Sequence, residues 1–357
     1  MHNIRNIAIA AALTCAAAPG VFAGEGLLST PFFGEAQSLT VDERTLVWSE
    51  IGAAEGRPLV FAVGFPHAAV VGTGVLSPFD GFLKRNNIRL IAVERTGATN
   101  RSTFTLTDTL DDYVSDVETI LAQLNVDRFS VLAFSAGGPG ALALAARFPE
   151  RVRSVHLMAA RGRYTDELAE RSAEQDAFET LIDDPLGFAP LYQNFPPPRA
   201  LFDPNDMAFL DANFGTDFLD FYFAKAIQTL DQNPEGLSAS RAIGYQPWSF
   251  ELGDVQAPVF VYQGWADSSI LATGYSQDTA ARVGGAVSVR FYPAESHFET
   301  HLRHFDQVIV DMQTLGAKFV MCVPRPQAGS SVTRQVPVAL VARRLREGAR
   351  LGDCLWQ

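Results

Sequence analysis

Six short, mostly apolar runs limit what this chain can fold into more than any other feature. They are Pro58–Val63, Ile88–Val93, Asp127–Leu132, Val152–Met158, Pro258–Tyr262 and Val287–Tyr292. A strand with one face in water alternates apolar and polar residues. Continuous runs of this length suit strands covered on both faces of a parallel sheet. Segments of helical character lie between them. In Leu110–Leu124 the residues Tyr113, Val114, Val117, Ile120, Leu121 and Leu124 recur at helical spacing. Ala141–Phe148, Ser276–Val283 and a segment around Phe305–Leu315 also read as helices, and Thr40–Glu50 reads as an opening hairpin turning near Asp42-Glu43. Strands alternating with helices give a parallel sheet built from crossover units, an α/β fold.

Two stretches fall outside this rhythm. Residues 162–247 offer no buried strand, read as helical, are rich in phenylalanine and are broken by Pro196-Pro197-Pro198. They form an inserted cap that divides the core into residues 24–161 and 248–316. In the tail, residues 317–357, a strand is expected at Phe319–Val323, a linker at Pro324–Ser331, and a strand followed by a basic helix within Val336–Arg350.

The first 23 residues read as an export signal. Arg5 precedes the short apolar run Ile7–Ala18, and Val21-Phe22-Ala23 places small residues where a signal peptidase cuts. Cleavage after Ala23 would deliver the chain to the periplasm or the medium without a stable membrane anchor. It would leave two cysteines, Cys322 and Cys354, either as a disulfide pinning the tail or as two free thiols. No Cys/His spacing of a metal site is present. A net charge of −12 without a Lys/Arg-rich patch disfavours nucleic acid and polyanions and leaves a small-molecule substrate as the expected partner.

The candidate chemistry lies at the ends of the apolar runs. Ala133-Phe134-Ser135-Ala136-Gly137 sits between a strand and a helix, with small residues two positions either side of the serine. A sharp strand-to-helix turn needs that spacing, because the two backbones approach closely there. An ordinary turn that contains a serine is the plainer reading of the pentapeptide alone. Further along, Gly264-Trp265-Ala266-Asp267 follows one run and Ser296-His297-Phe298 follows the last. Val63-Gly64-Phe65-Pro66 and Glu94-Arg95-Thr96-Gly97 follow the first two.

With these five motifs in this order, the chain from Thr40 to Leu315 resembles the α/β-hydrolase superfamily, in particular its small-molecule hydrolases with an inserted helical cap. The resemblance implies a mostly parallel, doubly wound sheet. It implies Ser135 as nucleophile, His297 as general base and Asp267 as the acid that orients it. The backbone N–H groups of Phe65 and Ala136 would form the oxyanion hole, and no cofactor is required. Asp267 has a plainer role open to it, as a helix-capping loop acid. His67, beside the oxyanion loop, and Phe134 are candidate substrate contacts. Val63 stands where the superfamily has histidine, Glu94 where it has aspartate, Ala133 and Ser296 where it has glycine. The expected activity is hydrolysis of a small or medium, apolar carboxylic ester. The alternatives are an aminopeptidase, amidase or carbon–carbon bond hydrolase on the same triad, or a binding module with a silent site.

Overall fold

The computed structural model describes residues 35–163, 180–181, 183–193, 203–214, 219–220, 224, 233–268 and 274–315, together with three strands between 318 and 351. The chain divides into a main body within residues 25–312 and a second unit that includes residues 313–357.

The main body is built on an eight-stranded sheet. Its strands are β1 (Ala36–Val41), β2 (Arg44–Gly52), β3 (Arg57–Ala62), β4 (Ile88–Val93), β5 (Phe129–Phe134), β6 (Val152–Met158), β7 (Val259–Gly264) and β8 (Val287–Tyr292), in the spatial order β1-β2-β4-β3-β5-β6-β7-β8. β1 and β2 form the expected hairpin, and β2 runs antiparallel to β4. From β4 to β8 every pairing is parallel. All six apolar runs are strands of this sheet. The central strand β5 is buried along its whole length, because helices cover both faces. β8 lies at the edge and is only partly buried.

The flanking helices are α1 (Ala69–Leu76), α2 (Asp80–Arg85), α3 (Leu110–Gln123), α4 (Gly138–Arg147), α5 (Ala189–Gln193), α6 (Pro204–Phe214), α7 (Pro234–Ala242), α8 (Tyr275–Arg282), α9 (His297–Arg303) and α10 (Phe305–Thr314). α3 starts where Thr109 and Asp112 close a reciprocal capping box, and its apolar stripe packs into the core. Arg44 on β2 pairs with Asp116 of α3 at 2.7 Å and with Asp108 at 3.1 Å, which fixes the hairpin to the body. At the other side, Asp311 of α10 accepts from Tyr262 at 2.5 Å and from both terminal nitrogens of Arg290 at 2.7 and 2.9 Å.

α5, α6 and α7 belong to the expected cap, and no strand occurs among its described residues. No helix among the described residues is long and apolar enough to cross a membrane.

The second unit contains β9 (Lys318–Arg325), β10 (Ser330–Pro337) and β11 (Arg350–Leu351), with β9 pairing antiparallel to both others. The linker expected at Pro324–Ser331 is shorter than its composition implies. Pro324 and Arg325 pair with Ser331 and Ser330, so both ends of the expected linker belong to the ladder. The basic helix and Cys354 fall outside the described residues; Cys322 lies in β9.

Candidate active site

The parallel strands point their carboxyl ends to one side of the sheet, and the candidate residues collect there. Ser135 stands between β5 and α4 with φ of 51°, in the left-handed region that non-glycine residues avoid. Its carbonyl accepts from Arg161 N–H at 2.8 Å, just past β6. The two glycines after the serine have no alternative. A Cβ at 137 would lie 1.9 Å from the Ala62 carbonyl oxygen, and one at 138 would lie 1.8 Å from that of Arg161. Ala133 is fully buried opposite Ala62 and Leu157, so the tight turn accepts alanine two residues before the serine. Ser135 itself keeps some exposure.

The loop after β3 runs against this turn. A Cβ on Gly64 would meet the Phe134 carbonyl at 2.9 Å and the Ser135 Cβ at 3.2 Å. Phe65 and Ala136, whose amides are the expected oxyanion donors, are the next residues on the two sides of that contact. Ala136 belongs to the first helical turn after β5, where N–H groups have no partner within the helix. The loop closes through His67 N–H to Gly64 O at 2.7 Å. His67 has no exposed surface, in contrast to its expected place as a substrate contact. Its Nδ1 lies 3.1 Å from the Val63 carbonyl, and its Nε2 faces Arg95 at 3.5 Å. Burial, helped by the charge of Arg95, holds its pKa well below the usual histidine value, so the ring is neutral and donates from Nδ1. Histidine is absent at position 63, and His67 supplies a polar tie to the loop through the Val63 main chain instead.

Asp267 and His297 come together as expected. Nδ1 of His297 is 2.8 Å from Oδ2 of Asp267, whose side chain is fully buried. With Nδ1–H donated to the carboxylate, the basic lone pair resides on Nε2. Gln263 Nε2 donates to the same Oδ2 at 3.0 Å, and Ser276 donates to Gln263 Oε1 at 2.7 Å, which fixes the amide's orientation. The acid and base loops are stitched by Ala266 N–H to Glu295 O at 2.9 Å. The His297 ring lies 4.7 Å, centroid to centroid, from that of Phe134, the neighbour of Ser135 in the chain. Phe134 is 6% exposed and packs against the His297 ring.

Two groups near His297 had no signal in the sequence as functional residues. The first is Asp206 of α6, which is 2% exposed. It accepts from Ser296 Oγ at 2.5 Å and from Phe298 N–H at 2.7 Å, so an acid of the cap holds the start of the helix that carries His297. The Ser296–Glu299 capping box was legible locally, but nothing marks Asp206 among the cap's acids.

The second is His301, stacked on Phe134 at 4.1 Å with neither ring nitrogen hydrogen-bonded among the described residues. Burial, then the neighbouring His297, pushes its pKa from the usual 6.5 down to about 3. His156, within β6, is pushed equally low by burial and by Arg290. Between about pH 6.5 and pH 3 the unfolded chain therefore binds protons that the folded chain does not. Stability from these histidines is complete above the unfolded pKa and is lost as pH falls through that window. His301→Phe is expected to shrink the drop in unfolding free energy between about pH 7.5 and pH 5 by about 2 kcal/mol. Urea titrations at the two pH values measure this, and an unchanged drop would show that His301 titrates normally in the fold.

Among the described residues, no group of three His, Cys, Asp or Glu side chains is placed to hold a metal ion. The mostly parallel eight-stranded sheet with its flanking helices is the α/β-hydrolase fold. Residues 83–298 match the family described as alpha/beta hydrolase fold, and the chain belongs to that family. Proline iminopeptidase from Neisseria gonorrhoeae is 27% identical over 114 residues, covering 31% of this chain and 35% of the relative, so the chain spans about a third of the length of the curated relatives it matches. Among solved structures, an alpha/beta hydrolase fold protein from Nakamurella multipartita is 22% identical, with a TM-score of 0.53 over 77% of this chain and 98% of its own. An esterase from Rhodococcus sp. ECU1013 is 19% identical, with a TM-score of 0.56 over 79% and 98%. These structural likenesses are likenesses of fold.

Proposed function

We propose that the chain is a serine hydrolase that cleaves a small or medium carboxylic ester. The observation that carries this reading is the bond from the buried Asp267 to His297, whose ring packs against Phe134 beside a serine held at positive φ. Ser135 Oγ attacks the acyl carbon as its proton passes to His297 Nε2, and the oxyanion takes the amides of Phe65 and Ala136. The imidazolium, stabilised by Asp267, gives that proton to the departing alcohol. Water, deprotonated by the same histidine, then releases the acid and restores the serine.

A fluorophosphonate probe tests the nucleophile. Wild type is expected to label and Ser135→Ala is expected not to, whereas equal labelling of both would sink the assignment. Nitrophenyl esters of increasing chain length, run beside aminoacyl amides, test the substrate class, and turnover of the amides alone would overturn it.

The short proline iminopeptidase match motivates the amide alternative. An aminopeptidase needs carboxylates to take the substrate amine. Asp183 and Asp184 are exposed, and Asp206 is spent on the base helix. Glu167, Glu170 and Glu174 lie outside the described residues.

Export after cleavage at Ala23 and a Cys322–Cys354 disulfide belong to the same proposal. Intact mass of the secreted chain, before and after reduction and alkylation, reads both. Retention of residues 1–23, or full alkylation without reductant, would remove the corresponding part.

A further inference from the structure

The wall that the cap presents to the oxyanion loop carries two guanidinium groups, Arg241 and Arg95, that no carboxylate among the described residues pairs with. Arg241, near the end of α7, lies over the ring of Phe65 at 5.5 Å and that of Phe188 at 5.0 Å. Its one hydrogen bond among the described residues runs to Tyr192 Oη at 3.1 Å. Tyr192 is fully buried, and burial raises its pKa, so this partner is a neutral phenol. Directly behind, Arg95 donates to the Ser240 carbonyl at 2.9 Å and to the Ala136 carbonyl at 3.2 Å. Arg95 is 3% exposed, and its Nε has no hydrogen-bond partner among the described residues. Burial brings its pKa down only to about 10, so it too is charged at neutral pH. Among the described residues, no carboxylate forms an ion pair with either guanidinium. Glu94, next to Arg95 in the chain, is turned into its own loop, accepting from Thr99 and Ser102 at 2.6 and 2.7 Å.

A desolvated charge without a counter-ion is costly, and one that stands beside a candidate site points to a ligand of the opposite charge. Arg95 is committed by its bonds to the elbow and to α7. Arg241 is not: one aromatic hydroxyl leaves most of its donor fork for a planar anion. Phe65, Phe188 and Tyr192 around it offer apolar ring surface. We infer that Arg241 binds a carboxylate of the substrate, so that the hydrolysed ester is a monoanion with an apolar body rather than a neutral ester. The same charge repels the ammonium group of an aminopeptidase substrate. The inference rests on the serine hydrolase reading for the reaction, but not for the binding.

Two matched pairs of esters test it: mono-4-nitrophenyl glutarate against its methyl ester, with the charge on the acyl side, and 4-butyryloxybenzoate against its methyl ester, with the charge on the alcohol side. Wild type is expected to favour the carboxylate over the methyl ester at least about 10-fold in kcat/KM in one pair. That ratio is expected to collapse about 10-fold in Arg241→Gln and to fall less in Arg241→Lys, which keeps the charge without the fork. A wild-type ratio below 10 in both pairs, or a ratio in Arg241→Gln within threefold of wild type, overturns the inference. If Arg241→Gln does not fold, the wild-type ratio and Arg241→Lys decide.

If Ser135→Ala turns over these esters as fast as wild type, the hydrolase reading has failed instead. Calorimetric titration of Ser135→Ala with 4-butyryloxybenzoate then still decides the anion site. Binding weakened at least 10-fold by adding Arg241→Gln supports it; no binding, or equal binding, removes it.

Discussion

Asp267→Asn is expected to lower kcat on a nitrophenyl ester by about 10⁴ while leaving the urea midpoint nearly unchanged. Two donors converge on Oδ2 of Asp267, the His297 Nδ1–H and the Gln263 amide, and a carboxylate accepts both. An asparagine that sets its single oxygen at that position still accepts from both donors, which is why the fold is expected to survive. It carries no charge, so the imidazolium that forms when His297 takes the serine proton loses its counter-charge, in a place where the acid side chain is fully buried. Steady-state kinetics beside urea unfolding separate this from a folding defect. If the variant keeps more than about a tenth of wild-type kcat, the pair is structural and the catalytic acid lies elsewhere.

Gly138→Ala is expected to be the most damaging single-methyl change near the site. The added carbon would lie 1.8 Å from the Arg161 carbonyl oxygen, so backbone must move. Arg161 also holds the Ser135 carbonyl through its own N–H, and a displaced Arg161 carries the nucleophile with it. Destabilisation of about 4 kcal/mol or more, seen as lost soluble yield or a collapsed urea midpoint, is the expected result, with no fluorophosphonate labelling of the soluble fraction. Gly253→Ala is the matched control. Nothing lies within 4 Å of its would-be Cβ, and a change within about 0.5 kcal/mol is expected. Comparable losses in both variants would mean that the close approach at 138 is not what limits stability.

The sheet was legible because a strand buried on both faces leaves a run that no amphipathic helix imitates, and all six runs became strands. The triad candidates were legible because each sits just after such a run, where parallel strands collect their carboxyl ends. Asp206 was not, because its partners lie about 90 residues away and its own surroundings in sequence are those of any cap acid. Arg241 was hidden for a similar reason: composition shows an acidic chain without basic patches, while the role proposed for it comes from the lack of an ion pair to it among the described residues. His67 shows the opposite error. Its place beside the oxyanion loop promised contact with substrate, but a positive φ of 65° and a bond to Val63 O turn it inward. In the tail, proline and serine signalled a linker where β9 and β10 keep pairing as far as Arg325 and Ser330.

The bond from Asp206 to the base helix has a consequence for how the molecule matures. The chain leaves the sheet at the end of β6 and rejoins it at β7 about 100 residues later, so pairing of those strands closes a long excursion and meets its entropy cost late. Only when the insertion has docked does Asp206 reach α9. Until then the first turn of α9 lacks the acceptor that Asp206 gives to Ser296 Oγ and Phe298 N–H, so the placing of His297 depends on a segment that lies outside the sheet.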